Sequence, residues 1–152
     1  MKEPLLYRIT RPIIKVLFNF VYQPTYIGLE NIPENKACIL AGNHTNYLDC
    51  LLLISATKRT IHFLAKDDLS KGVKKIIFNN MGIIAVNRKK HDGKSLKIAC
   101  DFLKENKVIG IFPEGTINRT DNTIMPFKIG AVKMANDTSS YIVPFTIKGK
   151  YK

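Results

Sequence analysis

Short apolar runs that alternate with helix-like segments constrain the fold of this chain more than any other feature. The pattern predicts strands at 25–29, 37–41, 61–65, 82–87, 108–112 and 141–147, and helices near 48–57, 70–79, 94–105 and 128–136. Within 94–105, one helical face carries Leu96, Ala99, Cys100 and Leu103. Alternation of this kind predicts an α/β fold, with a largely parallel twisted sheet flanked by helices.

Length and cysteine content narrow the class of protein further. A chain of 152 residues, 45% of them apolar, suits one domain with a packed core. Its three cysteines form an odd set without a CxxC spacing, which favours free thiols in a reducing cytosol over disulfides or a zinc site. Because the chain ends directly after 141–147, we expect either a fragment of a longer protein or a compact fold.

The charge balance indicates anionic partners. Lysine and arginine total 24 against 12 acidic residues, which gives a net charge of +12. Nucleic acid, an acidic lipid surface and phosphorylated small molecules all fit such an excess. The cations are scattered, and no aromatic-rich stacking motif or known reader signature accompanies them. We therefore expect no nucleic-acid partner.

The N-terminal segment 1–23 predicts an amphipathic helix. Its polar stripe consists of Arg8, Arg11, Lys15 and Asn19, and apolar residues cover the rest of the surface. Its uncharged stretches are far shorter than the roughly 20 residues that span a bilayer. A wide apolar face with a cationic stripe is typical of a helix lying in the membrane interface. A helix packed on the domain, with its basic stripe in solvent, is the alternative interpretation.

The stretch AGNHTNYLDC at 41–50 contains a candidate catalytic pair, His44 and Asp49. Five positions correspond to about 140° on one continuous helix, which would not pair the two side chains, whereas a loop at His44 that turns into a helix near Asp49 could. A carboxylate on one ring nitrogen leaves the other free to take a proton, as in a general base. Such a base has no nucleophile of its own, so a substrate hydroxyl would attack. Alternatively, His44 bonds backbone at a strand end and Asp49 caps a helix.

Two further clusters follow predicted strands. VIGIFPEGTINR at 108–119 ends a strand at Pro113, and Gly115 allows close approach of a ligand. With Thr116 and Arg119, this turn suits phosphate binding through backbone N–H groups, although it also fits an ordinary turn. GIIAVNRKK at 82–90 places Arg88 after another strand, where a solvated basic run is the alternative. Catalytic groups of parallel sheets gather at such strand ends.

Four motifs in fixed order resemble those of the glycerolipid acyltransferase family, and of its 1-acylglycerol-3-phosphate (lysophosphatidate) acyltransferases in particular. They are NHTNYLD, GIIAVNR, FPEGTINR and IVPFTI, which together run from 43 to 147. The resemblance implies an acyltransferase domain over 24–152, preceded by the membrane-interface helix at 1–23. It also implies a peripheral enzyme on the cytoplasmic face of an anionic membrane, working in phospholipid biosynthesis.

The same resemblance implies a reaction and the roles of individual residues. His44 would deprotonate the hydroxyl of a lysophosphatidate-like acceptor, oriented by Asp49, and the oxygen would attack an acyl thioester. The donor would be acyl-coenzyme A or acyl-acyl carrier protein, and no metal or cofactor is expected because a thiolate leaves readily. The residues expected to hold the acceptor phosphate are Arg88, Glu114, Gly115 and Thr116, with Lys66 and Arg119 as further candidates.

One departure from the family pattern affects the expected acceptor. The family's FPEGT block is usually followed directly by arginine, whereas this chain has Ile117 there and Arg119 two positions later. Either Arg119 contacts the phosphate from a different loop path, or that contact is absent. Two alternatives therefore stay open. The acceptor is glycerol 3-phosphate or another lysophospholipid, or the chain is a non-catalytic basic domain that binds lipid or nucleic acid.

Overall fold

The structure, a computed structural model, describes residues 4–66, 74–86, 93–122, 124–149 and 151. Five strands form one sheet in the order β3-β2-β4-β1-β5, and every neighbouring pair is parallel. The strands are β1 Cys38–Gly42, β2 Ile61–Lys66, β3 Ile84–Val86, β4 Val108–Ile111 and β5 Tyr141–Phe145. The helices are α1 Leu5–Tyr22, α2 Asp49–Ala56, α3 Lys74–Asn80, α4 Lys94–Lys104 and α5 Gly130–Thr138. The predicted α/β class is confirmed.

Helices cover both faces of the sheet, and alternate residues of β1 show how. Cys38 and Leu40 point into the core on the side of α1 and α2, while Ile39 and Ala41 point to the side of α4 and α5. All five residues of β1 are buried. A strand enclosed on both faces requires a continuous apolar run, and the sequence supplies one.

Helix α4 has the predicted apolar face. Ala99, Cys100 and Leu103 are buried in the core with Ile109 of β4, and Leu96 packs against them. Each fully buried aliphatic side chain of this kind stabilises the fold by about 1.5–3 kcal/mol. The predicted spacing is thus the one that seals this face of the sheet.

The predicted strand at 25–29 is wrong. Residues 23–28 have no regular structure, and Leu29–Asn31 form a single 3-10 turn. Gly28 turns the chain with a φ of 78°, and the Tyr26 hydroxyl bonds Asn19 and Ser55 rather than lying along a strand. The apolar residues of this segment connect α1 to β1. The strand predicted at 82–87 is observed at Ile84–Val86, and the helix predicted at 70–79 is observed at Lys74–Asn80. Residues 70–73 and 87 of these two predictions lie outside the described residues.

Helix α1 packs on the domain through one face and exposes another. Tyr7 and Phe18 are buried, and Arg11 of the predicted polar stripe turns inward, its Nε donating to the Thr57 carbonyl at 2.9 Å. The opposite face is apolar and exposed, with Leu5, Ile9, Ile13, Val16, Leu17, Phe20 and Val21. Within the described residues, no helix is both long and apolar enough to cross a membrane.

The order of the strands places two polar loops side by side. β1 and β4 are neighbours, with Ala41 paired to Ile111 near their carboxyl ends. The loop after β1 carries His44, and the loop after β4 carries Glu114, Gly115 and Thr116. The topology therefore brings the first and second candidate clusters to one edge of the sheet.

We expect Gly42→Ala to destabilise the fold by about 1–3 kcal/mol or more, because the pairing of β1 with β5 leaves no room for a methyl group. A Cβ at Gly42 would lie 2.3 Å from the Phe145 carbonyl oxygen, its partner in the register. Gly130→Ala is the matched control, since its Cβ would meet only Ile111 Cδ1 at 3.7 Å. Urea unfolding of both variants measures the difference, and equal stabilities would contradict the close approach.

Candidate active site

His44 and Asp49 are in contact, through the loop-then-helix arrangement that their spacing requires. His44 lies in the loop after β1, and Asp49 is the first residue of α2. The His44 Nδ1 atom lies 2.9 Å from Asp49 Oδ2. Because Asp49 occupies a helix N-terminus, the helix dipole also favours its negative charge. The structure thus brings the predicted pair together.

The Asp49 side chain is fully buried and densely hydrogen-bonded. Its Oδ2 atom accepts from the backbone amides of Thr45 at 2.6 Å and Asn46 at 2.9 Å, besides the imidazole. Its Oδ1 atom accepts from the Tyr151 hydroxyl at 2.6 Å. Burial alone would raise the pKa of Asp49, but these hydrogen bonds hold the pKa below its ordinary value. The carboxylate therefore stays ionised beside His44.

The ring and the backbone of His44 are each held from two directions. The imidazole stacks on Phe112 with ring centroids 4.0 Å apart, and its side chain is 16% exposed. The backbone N–H donates to Glu114 Oε1 at 2.9 Å, and the carbonyl accepts from the Asn118 amide at 2.7 Å. With Nδ1 facing Asp49, Nε2 is the nitrogen that remains for a substrate proton.

A cavity of about 650 Å³ adjoins His44. Four of the predicted binding residues line it: Lys66 at the end of β2, and Gly115, Thr116 and Arg119 in the loop after β4. The rest of its wall is mainly apolar and includes Leu51, Ile54, Phe63, Leu64, Phe78, Met81, Ile83, Phe112 and Ile117. The predicted binding residue Arg88 lies outside the described residues. This cavity therefore combines a basic part with a largely apolar interior.

Glu114, also predicted to bind substrate, lies in a different environment. Its side chain is buried, and its two oxygens accept from the backbone amides of His44 at 2.9 Å and Met125 at 3.2 Å. Both carboxylate oxygens thus accept hydrogen bonds from backbone amides. In this structure Glu114 connects the loop after β4 to His44.

Lys128 is a cation at this turn that sequence reasoning missed. Gly115 has a φ of 77°, and a Cβ added there would lie 2.7 Å from the Lys128 Nζ atom. The Lys128 amide also donates to the Pro113 carbonyl at 2.9 Å. The residue lies 13 positions from Gly115, at the start of the helix predicted near 128–136, and nothing in the sequence indicated that its side chain would reach this turn. Its ammonium group adds positive charge to a turn that already contains Arg119.

Asn43 and Tyr151 also make contacts that sequence reasoning did not predict. The Asn43 amide donates to the Ile147 carbonyl at 2.9 Å and accepts from its N–H at 2.8 Å. This double contact fastens the end of β1 to the segment after β5. A polar residue between an apolar run and His44 was a usable signal for Asn43. Tyr151, which is 102 positions from Asp49, carried no local signal.

The three cysteines are thiols whose pKa values are raised chiefly by burial. Cys38, Cys50 and Cys100 are free, as predicted. Cys50 lines the cavity, but burial and the neighbouring Asp49 charge raise its pKa to about 12. A thiol with so high a pKa is a poor nucleophile at neutral pH. In the part of the chain that the structure describes, no cluster of three or more histidine, cysteine or acidic side chains is placed to hold a metal ion.

Comparison with known sequences identifies relatives over most of the chain. The sequence model of the Acyltransferase family matches residues 23–148. A 1-acyl-sn-glycerol-3-phosphate acyltransferase of Borreliella burgdorferi is 37% identical over 127 residues, 79% of this chain and 49% of that protein. The protein of the same description in Bacillus subtilis is 26% identical over 147 residues, 95% of this chain and 72% of that protein.

A solved structure has the same fold. The crystal structure of the 1-acyl-sn-glycerophosphate acyltransferase from Thermotoga maritima superposes with a TM-score of 0.74 at 24% identity. The match covers 91% of this chain and 56% of that one. The chain thus spans about half the length of the Borreliella and Thermotoga proteins that it matches.

Proposed function

The chain belongs to the Acyltransferase family, and from this membership we propose that it moves a fatty acyl group from a thioester to the free hydroxyl of 1-acylglycerol 3-phosphate. The product would be phosphatidic acid, and the donor acyl-coenzyme A or acyl-acyl carrier protein. The observation that carries the proposal is the 2.9 Å contact between His44 Nδ1 and a buried Asp49, beside a largely apolar cavity. Relatives described as 1-acyl-sn-glycerol-3-phosphate acyltransferases support the choice of acceptor.

In the proposed reaction His44 is the general base. Its Nε2 atom takes the proton of the acceptor hydroxyl as the oxygen attacks the thioester carbonyl. Asp49 accepts a hydrogen bond from Nδ1–H and stabilises the imidazolium that forms. When the carbon–sulfur bond breaks, the imidazolium returns the proton to the departing thiolate. General-base assistance of this kind accelerates a reaction by about 100- to 10,000-fold.

The substrates of the proposed reaction combine hydrocarbon chains with a phosphate group, and the cavity suits both. Its apolar wall can take up a hydrocarbon chain, because moving apolar surface out of water is favourable. The cations Lys66 and Arg119, together with Gly115 and Thr116, are proposed to hold the phosphate, with Arg88 as a further ligand. Ile117 and Arg119 both line this cavity. We propose that Arg119 takes the place of the arginine that usually follows FPEGT.

We expect His44→Ala to reduce acceptor-dependent thiol release by about 100-fold or more, because the base is lost. Thiol release is measured from acyl-coenzyme A, and in a second series from acyl-acyl carrier protein. His62→Gln is the control, since His62 is a buried histidine that lies outside this cavity, with Nδ1 bonded to the Gly82 carbonyl at 2.8 Å.

Each alternative gives a different result in the same assay. Glycerol 3-phosphate and a lysophospholipid with a larger headgroup replace lysophosphatidate in parallel reactions, and faster release with either one would change the acceptor. Full activity of His44→Ala would contradict the general-base role. A folded chain that releases thiol from neither donor would contradict the acyltransferase proposal itself.

We expect Arg119→Ala to raise the KM for lysophosphatidate by about 10- to 100-fold with little change in kcat, because a charge-assisted hydrogen bond to phosphate is lost. Lys97→Ala is the matched control: it removes an exposed cation on α4, across the sheet from α1 and α2. Steady-state kinetics with varied acceptor give both constants. An unchanged KM would place the phosphate away from Arg119.

We also propose that the protein binds the cytoplasmic face of the membrane peripherally through α1. The exposed apolar face of this helix has no covering element within the described chain. Arg8 and Lys15 are exposed on the same helix and can reach anionic headgroups. Tyr7 of α1 lines the cavity, so the helix that would contact lipid borders the site where lipid substrates would react.

Phe20→Glu and Val16→Glu are expected to weaken vesicle binding about tenfold or more, because each puts a carboxylate on the apolar face. Phe20 is 81% exposed and Val16 68% exposed. Ile129→Glu is the control, since Ile129 is 74% exposed and precedes α5 on the other face of the sheet. Sedimentation with phosphatidylcholine vesicles, with and without phosphatidylglycerol, measures binding. Equal binding by all three variants would exclude α1 as the contact.

A further inference from the structure

Tyr151 connects helix α1 to the candidate catalytic pair. Its hydroxyl donates to Asp49 Oδ1 at 2.6 Å. Its ring packs edge-on against Tyr22, at 5.5 Å between centroids, and against Phe18, at 6.2 Å. Phe18 and Tyr22 are themselves 4.7 Å apart on α1. One side chain thus contacts both the N-terminal helix and the carboxylate that faces His44.

The Tyr151 hydroxyl is the nearest hydrogen-bond donor to Asp49 Oδ1 among the described residues. Oδ2 is held by the imidazole and by two backbone amides. Besides Tyr151, Oδ1 receives only a 3.3 Å contact from the Thr45 hydroxyl among the described residues. A 2.6 Å hydrogen bond from a phenol to a carboxylate is short and charge-assisted. Loss of the Tyr151 hydroxyl would therefore leave one oxygen of a fully buried carboxylate weakly held.

The ionisation states of the two partners agree with this geometry. Burial, together with the bond to Asp49 and its negative charge, raises the pKa of Tyr151 far above its ordinary value. The phenol therefore remains a hydrogen-bond donor throughout the pH range in which an enzyme of this kind would work. The same bond helps to keep the pKa of Asp49 low against its burial.

We propose that Tyr151 is a positioning residue, which sets the orientation of Asp49 against His44 and is itself held in place by Phe18 and Tyr22 of α1. The proposal rests on the function proposed above, in which His44 is the base. Tyr151 acts through Asp49 and touches no reacting atom. Through this contact the seating of α1 on the domain determines the geometry of the catalytic pair.

The first test is Tyr151→Phe, which keeps the ring and removes only the hydroxyl. We expect kcat to fall about tenfold while the KM values for donor and acceptor stay within about twofold. Thermal unfolding confirms that the variant is folded. Tyr141→Phe is the control, because it removes a phenol hydroxyl from the exposed edge strand β5. A Tyr151→Phe enzyme with unchanged kcat would overturn the proposal.

The second test addresses the connection to α1. Tyr22→Leu weakens the ring contacts, and we expect it to lower kcat in the otherwise unchanged enzyme. In a Tyr151→Phe background, the same substitution is expected to have no further effect on kcat, since both changes act through one hydrogen bond. Additive effects of the two substitutions would show that α1 does not act through the Tyr151 hydroxyl.

A readout that does not depend on turnover separates this proposal from the proposed function. In histidine-labelled protein, the NMR signal of the proton between His44 Nδ1 and Asp49 is assigned by its loss in His44→Ala. We expect this proton to exchange faster with water in Tyr151→Phe and to be unaffected in Tyr141→Phe. An unchanged signal in Tyr151→Phe would overturn the positioning role. Absence of thiol release in the unsubstituted chain would contradict only the function proposed for the site.

Discussion

Strand β1 is hydrogen-bonded to a neighbour on each side, and the site depends on this double pairing. Its residues pair with Val108–Ile111 on one side and with Tyr141–Phe145 on the other. The first pairing sets the His44 loop beside the Glu114 loop. The second sets the end of β1 beside the segment that leads to Tyr151. All five residues of β1 are buried, and a shift of one residue in either pairing would displace the loops that carry the site.

Two buried carboxylates hold this arrangement together, and they do so differently. Asp49 bonds the imidazole and two backbone amides of the loop before its own helix, whereas Glu114 bonds the backbone amides of His44 and Met125. Burial of a charged group costs free energy unless hydrogen-bond donors surround it, and each carboxylate accepts hydrogen bonds from backbone N–H groups. The result is that His44 is fixed at its side chain by one acid and at its backbone by the other.

Local patterns in the sequence predicted the positions of the five observed strands and the contact between His44 and Asp49. The apolar runs of β1 and β4 required strands buried on both faces, and the spacing of His44 and Asp49 required a loop before a helix. Long-range contacts left no such trace. Glu114 reaches His44 across 70 positions, and Asn43 reaches Ile147 across 104. The segment 25–29 looked like a strand because it is apolar, but Gly28 and the bonds of Tyr26 hold it in a connection. The helical pattern placed Arg11 on a polar stripe, but its side chain turns toward the domain and donates to the Thr57 carbonyl.

The loop after β4 holds the backbone of His44 on both sides, since Glu114 accepts a hydrogen bond from its N–H and the Asn118 amide donates to its carbonyl. The residues between these two contacts, 115–117, line the cavity. A ligand that orders this loop would therefore also order the backbone of His44. If an anion binds this loop as proposed, thermodynamic linkage requires that anion binding and the ordering of His44 favour each other to the same extent. Under the proposed function, binding of the phosphate and alignment of His44 would thus be coupled in one conformational equilibrium.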